Sequence, residues 1–193
     1  MSWSGPEWPT NALFLIQALK EQSGLVENAR IRQAEISDLV TLTRIINHYV
    51  ATSHITFETE PFTVAGRMEW LERFAPTGPH RLLVAQMRER VVGFASSSTF
   101  RSKPAYRTSV ETTVYLDPEF HGQGLGTALY AALFDVLQKE PQVHRAYGVI
   151  AQPNPASVAL HRRLGFNLIG TLSEAGLKFG RYWDVSLYEK SVN

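Results

Sequence analysis

Residues 114–133, VYLDPEFHGQGLGTALYAAL, constrain the fold of this chain more than any other stretch. β-Branched and aromatic residues lead up to Asp117-Pro118; three glycines, Gly122, Gly124 and Gly126, then open onto a run rich in alanine and leucine. The first part reads as a strand and the last as a helix. Glycine lacks a Cβ, so the backbone of such a turn can approach a ligand closely with several N–H groups converging on it. The positive N-terminus of the following helix adds to that field, and the pair suits a phosphate or pyrophosphate. No lysine stands where a G-x-x-x-x-G-K-[ST] phosphate loop requires one. The G-x-G-x-G spacing, behind an antiparallel-looking meander, also departs from the dinucleotide fingerprint of a βαβ unit.

The flanking text supplies the other elements. ARIRQAE reads as a first strand ending at Ile36, with Ser37 as N-cap of a helix that carries Leu39, Val40, Leu42, Ile45, Ile46 and Tyr49 at helical spacing. FTVAGRMEWLERF, residues 62–74, reads as a second helix, and APTGPH as a loop. RLLVAQM and RVVGFASSSTF flank the turn RER as a hairpin, and TSVETTVYL follows as a third strand. GTALYAALFDVLQKE is a helix stopped by Pro141, and RAYGVIA is a strand. NPASVALHRRLGF starts a helix with Asn154 as N-cap and Pro155 at its first position. NLIGTL and YWDVSLYE close the chain as strands. The order β-α-α-β-β-β-α-β-α-β-β points to an α/β fold, a mixed sheet with helices on its faces.

Composition narrows the function classes. At 193 residues the chain fits one domain with a substantial core. It has no cysteine, which excludes a disulfide framework, a thiolate nucleophile and a thiolate metal site, and is compatible with the cytoplasm. A net charge of +1 gives no support for nucleic-acid binding. No apolar run reaches the length of a membrane span. Residues 1–30 include the apolar piece ALFLIQAL but no basic leader or cleavage site, so they read as an extension with one amphipathic helix around 10–22. His48, His54, His80 and His144 show no metal-ligand spacing and read as structural or solvated, and no metal is expected.

Two motifs together carry a resemblance. HGQGLG resembles the R/Q-x-x-G-x-G/A loop of the GNAT superfamily of N-acetyltransferases, and NPASVALHRRLGF resembles its N-x-x-S-x-x-L-[YH]-x-x-x-G-F segment some 30 residues later. INHYVATSHITFETEPFT, AYRTSVETTVYL, IAQPNPASVALHRRLGF and GTLSEAGLKFGRYWDVSLYEK together look like the phosphinothricin and methionine sulfoximine acetyltransferase family. The likeness runs from about Ile31 to Lys190, so residues 31–190 would form the N-acetyltransferase domain. The resemblance implies a mostly antiparallel central sheet with one splayed pair of strands, helices on both faces, acetyl-CoA as co-substrate, and a homodimer. It also implies that His121, Gly122, Gln123, Gly124, Leu125, Gly126 and Thr127 hold the pyrophosphate. Val114, Tyr115 and Leu116 would pair with the pantetheine arm, the Leu116 N–H polarising the thioester carbonyl. Asn154 and Ser157 would contact the cofactor, Asn154 also capping its helix. His121 stands where the superfamily usually has Arg or Gln.

The chemistry of amine acetylation selects the remaining candidates. A nucleophilic amine must be neutral, so a base must take a proton. Glu111 lies three residues before VYL in an otherwise uncharged strand, where a carboxylate is costly unless it is functional or paired; the family has a matching glutamate. His161 occupies the place where many relatives carry a tyrosine that protonates the thiolate, and the phosphinothricin-type family gives a histidine here a catalytic role; a lone helical histidine is otherwise a packing residue. Arg101, Lys103 and Tyr106, in FRSKPAY just before the Glu111 strand, suit a carboxylate and a second anionic or sulfonyl-like group. Their Lys and Arg stand in exchanged order relative to the family loop. Phe57 would wall the pocket or serve as a core phenylalanine, and Lys178 and Trp183 read as rim or dimer residues.

The reading that follows is direct acetyl transfer to the α-amino group of a methionine sulfoximine, methionine sulfone or phosphinothricin type of acceptor. A protein N-terminus or polyamine as acceptor, and a non-catalytic acyl-CoA binding module, are the alternatives. A polyamine pocket should be acidic, whereas the loop before Glu111 is basic; a binding module has no use for a buried base.

Overall fold

The computed structural model describes residues 29–193, so the helix expected around 10–22 lies outside the described residues. Seven strands form one sheet: β1 (Ala29–Gln33), β2 (Leu82–Met87), β3 (Arg90–Thr99), β4 (Ser109–Leu116), β5 (Arg145–Ala151), β6 (Asn167–Lys178) and β7 (Arg181–Ser191). Their order across the sheet is β1-β2-β3-β4-β5-β7-β6. Every neighbouring pair is antiparallel except β4 and β5.

Helices cover both faces. On one face, α1 (Leu39–Thr52) packs Leu42, Ile45 and Tyr49 against Leu82, Val84 and Phe94, joined by Trp70 from the single-turn α2 (Met68–Leu71). On the other, α3 (Leu125–Leu137) buries Leu129, Tyr130, Leu133 and Phe134 against Val110, Ala146 and Ile150. The helix α4 (Pro155–Arg163) adds Val158 and Leu160 to that second cluster.

Three local expectations need correction. The first strand ends at Gln33 rather than Ile36, and Ser37 lies inside a short 3₁₀ turn, Ile36–Asp38, instead of capping a helix. Asp38 does the fixing: its carboxylate takes two hydrogen bonds from Arg32 (2.7 and 2.8 Å) and one from the Glu35 N–H (2.8 Å). The helix expected over 62–74 shrinks to a 3₁₀ turn (Ala65–Arg67) and Met68–Leu71. Asn47 exchanges two 2.8 Å hydrogen bonds with the Phe62 backbone, which ties Phe62 to α1 and takes up the carbonyl a helix would have used. Arg67, buried flat over the Trp70 ring (3.6 Å), then ties the turn to the core. The last hairpin is longer than expected, β6 and β7 running to the turn Phe179-Gly180.

The feature that positions the site is the parting of β4 from β5. β4 pairs with β3 along nearly its whole length, from Thr99↔Val110 to Gly93↔Leu116. With β5 it pairs only at Ser109↔Arg145, Val110↔Ala146 and Glu111↔Tyr147. Beyond Glu111 the two strands diverge, while β5 stays paired to β7 as far as Ala151↔Val185. α3 and α4 follow these two strands and pack in one apolar cluster beside the gap.

Candidate active site

A cavity of about 620 Å³ occupies that gap. Backbone alternation decides what faces it. The Asp117 N–H donates to Val92 O on β3 (2.8 Å), so the N–H and C=O of Val114 and the N–H of Leu116 point the other way, into the gap, while Leu116 O is taken by the Tyr49 hydroxyl. Val114 and Leu116 side chains pack toward α3, and Tyr115 toward α1. Period-two alternation therefore places Glu111 and Thr113 on the α1 face with Tyr115.

The glycine turn closes one end. Gly122 and Gly124 have φ of 73° and 79°, left-handed conformations that glycine adopts without steric cost. The first bond of α3 runs from the Ala128 N–H to Gly124 O (3.1 Å), which leaves the N–H groups of Leu125, Gly126 and Thr127 without helical acceptors. The approach to the turn is fixed by Asp117, whose buried carboxylate accepts from Arg44 (2.7 Å) and Arg90 (2.6 Å). Burial pushes the Asp117 carboxyl up, but these two hydrogen bonds, the Glu119 N–H and the charge of Arg44 together outweigh it and hold it below the ordinary value. His121 is locked from behind: the Tyr49 hydroxyl donates to Leu116 O (2.5 Å) and lies 2.6 Å from His121 Nε2, the two rings stacked. A strand end and an anion-binding turn thus share one anchoring side chain.

The opposite end carries the titratable groups. Glu111 lines the cavity where the strands part, and burial pushes its carboxyl up from the ordinary 4.5. His161 is buried in α4, with Nδ1 2.8 Å from Ser157 O and Nε2 3.4 Å from the Tyr130 hydroxyl. A carbonyl cannot donate, so Nδ1 carries the proton and Nε2 accepts from Tyr130. Burial pushes His161 down and so favours the neutral ring, while the hydrogen bond to Ser157 O opposes that shift in part. The ring fits only because residue 148 is glycine: a Cβ there would sit 2.5 Å from His161 Nε2.

Of the residues singled out in the sequence, Phe57, Glu111, Val114, Tyr115, Leu116, His121, Gly122, Gly124, Gly126, Thr127, Asn154, Ser157 and His161 all line this one cavity. Asn154 also caps α4 through the Ser157 N–H (3.1 Å). Gln123 and Leu125 are not in the wall: Gln123 bonds Glu119 O (3.0 Å), and the Leu125 side chain is in the core, leaving its N–H as its means of contact. Arg101, Lys103 and Tyr106 also stand outside the wall, on an exposed loop. That loop is seated by Phe100, whose ring stacks on Tyr147 (4.0 Å), the strand partner of Glu111. The sequence reading missed Tyr49 and Tyr130 as site residues. Both sit in apolar helical stripes, and the available signal was their hydroxyls, which need partners when buried. Lys178 is not a rim residue: it is buried, and Trp183 stacks on His54 (3.9 Å).

Unpaired strand groups beside a helix-borne anion site fit a long thiol cofactor with a pyrophosphate, and the comparisons agree. Residues 31–187 match the model described as acetyltransferase (GNAT) domain. A phosphinothricin N-acetyltransferase of Streptomyces coelicolor is 53% identical over 165 residues, covering 84% of this chain and 96% of the relative. An L-methionine sulfoximine/L-methionine sulfone acetyltransferase of Pseudomonas paraeruginosa is 31% identical over 166 residues, covering 86% and 96%. An acetyltransferase of Salmonella typhimurium, solved with its cofactor acetyl-CoA, superposes with a TM-score of 0.82 at 31% identity, covering 86% of this chain and 95% of that one. The chain belongs to the GNAT acetyltransferases and is an acetyl-CoA-dependent N-acetyltransferase of the phosphinothricin and methionine sulfoximine acetyltransferase family.

Proposed function

We propose that the enzyme acetylates the α-amino group of a small amino-acid-like acceptor, of the phosphinothricin, methionine sulfoximine or methionine sulfone type, by direct transfer in a ternary complex. The observation that carries this reading is Glu111: a carboxyl raised by burial, lining the cavity at the point where β4 leaves β5. A carboxyl whose pKa burial has raised is a stronger base toward an ammonium acceptor than a solvated one. Glu111 takes the amine proton, and the Leu116 N–H, directed into the gap, holds the developing oxyanion. The proton that remains on the attacking nitrogen passes to the departing thiolate through His161, whose neutral ring lines the cavity. Val114 and Leu116 backbone groups hold the pantetheine arm. Residues 121–127 hold the pyrophosphate, and Asn154 and Ser157 stand beside it. With no cysteine in the chain, no thioester to the enzyme is available as an intermediate.

The acceptor class rests on two supports. The relatives named above act on α-amino acid analogues, and Arg101 and Lys103, outside the cavity wall on the loop that Phe100 seats against Tyr147, would meet a carboxylate only from the rim at the Glu111 end. A polyamine acceptor would meet those same cations. Residues 31–190 are read as one catalytic domain, acting in the cytoplasm where acetyl-CoA is available. A homodimer is part of the proposal: β6 is an edge strand with Leu168, Ile169, Leu172 and Leu177 exposed, and such an edge invites a second copy. Replacing Glu111 by Gln tests the core of the reading. Turnover should be lost while acetyl-CoA binding stays intact; unchanged turnover would overturn it.

A further inference from the structure

The backbone from Ser53 to Val64 has neither helix nor strand, yet it supplies Ile55, Thr56 and Phe57 to the cavity wall. Irregular segments open locally with little cost unless something holds them. Here the holder comes from the far end of the chain. The Lys178 ammonium donates to Ser53 O and Thr56 O, both at 2.8 Å, and its third donor faces the Phe179 ring at 5.0 Å. Lys178 is 3% exposed, and among the described residues it makes no ion pair with a carboxylate. Glu58 favours the charge only from beyond ion-pair distance, and burial still pushes Lys178 down, so much of the cost of burying the ammonium must be offset by what the two carbonyls gain.

Two neighbouring contacts reach the same segment, each braced by a hydrogen bond within the hairpin. The Trp183 indole N–H donates to Lys178 O (3.0 Å) while its ring stacks on His54. β6 bulges between Leu172 and Gly176, with the Glu174 N–H held by Asp184 (2.8 Å), and this brings Gly176 under Phe57. A Cβ at Gly176 would overlap the Phe57 ring.

We propose that the β6–β7 hairpin shapes the acceptor pocket from behind, with Lys178 as a positioning residue that pins Ser53 and Thr56 so that Phe57 stands in the cavity wall over Gly176. The pocket-shaping part rests on the function proposed above; the clamp itself does not.

The test uses the full chain with Lys178→Met and Gly176→Ala. Hydrogen exchange of amides 53–57 reads the clamp without any acceptor: Lys178→Met should speed it about ten-fold, and unchanged exchange overturns the clamp. Steady-state kinetics then read the pocket. With whichever amino-acid analogue the wild type accepts, Lys178→Met should lower acceptor kcat/KM roughly ten- to a hundred-fold. Acetyl-CoA affinity, measured by calorimetry, should move less than about two-fold, a split that general destabilisation does not produce. Faster exchange with unchanged acceptor kcat/KM overturns the pocket-shaping role. If Lys178→Met fails to fold, Gly176→Ala decides: it keeps the ammonium but displaces Phe57, and must lower acceptor kcat/KM while sparing acetyl-CoA binding, or the proposal falls. A wild type that acetylates none of the analogues refutes the proposed function, and the exchange experiment still decides the clamp.

Discussion

Glu111 is where a single atom changes the chemistry. Exchanging its carboxylate for an amide in Glu111→Gln keeps the shape and removes the base. Turnover should fall about a hundred- to ten-thousand-fold, with acetyl-CoA affinity essentially unchanged. The base works only when ionised, so kcat/KM of the wild type rises with pH through the folded-state pKa of Glu111. Burial places that limb above 4.5; a limb at or below 4.5 in a pH–rate profile contradicts the assignment. Tyr49 gives a second residue-scale prediction. Tyr49→Phe leaves Leu116 O without its donor and frees His121. Urea unfolding should report a loss of about 1–2 kcal/mol, and the KM for acetyl-CoA should rise because strand end and glycine turn lose their common anchor.

Elements differ in how plainly the sequence announces them, and the reason is local. The turn at 122–126 and the start of α4 were legible because their signals are written in consecutive residues: glycines needing positive φ, and Asn154-Pro155 at a helix start. The end of β1 and the shrunken helix at 62–74 were not, because Arg32–Asp38 and Asn47–Phe62 decide them, and the second pair is 15 residues apart. The parting of β4 from β5 came from the family resemblance; nothing in SVETTVYL itself states that pairing stops at Glu111. Most candidate site residues share the cavity, yet the Lys178 clamp spans more than 120 residues and leaves no periodic trace. The Asp117 anchor makes an element-scale prediction. Its carboxyl titrates below 3.8 in the fold, so its stabilisation is present above 3.8 and lost as pH falls through the lower folded value. Asp117→Asn should therefore cost about 1 kcal/mol near neutral pH, both arginines being half exposed. That deficit should shrink as thermal unfolding is followed below pH 3.8; a deficit independent of pH contradicts the ion-pair account.

At the scale of the whole molecule, one sheet is split along β4/β5, where the proposed cofactor site lies, and among the described residues no strand pairs with the outer side of β6. Light scattering on a sizing column should give a mass twice the 21.7 kDa chain, and Ile169→Glu on the exposed edge should halve it. A monomeric wild type contradicts the proposed dimer without touching the catalytic reading. The catalytic reading depends on the acceptor that the Glu111 end of the cavity admits. Free-thiol release from acetyl-CoA, measured with phosphinothricin, methionine sulfoximine, methionine sulfone and a polyamine side by side, tests that most directly. Rapid release with at least one amino-acid analogue, and none above background with the polyamine, is the predicted result. Release with the polyamine alone, or with none of the four, would contradict it.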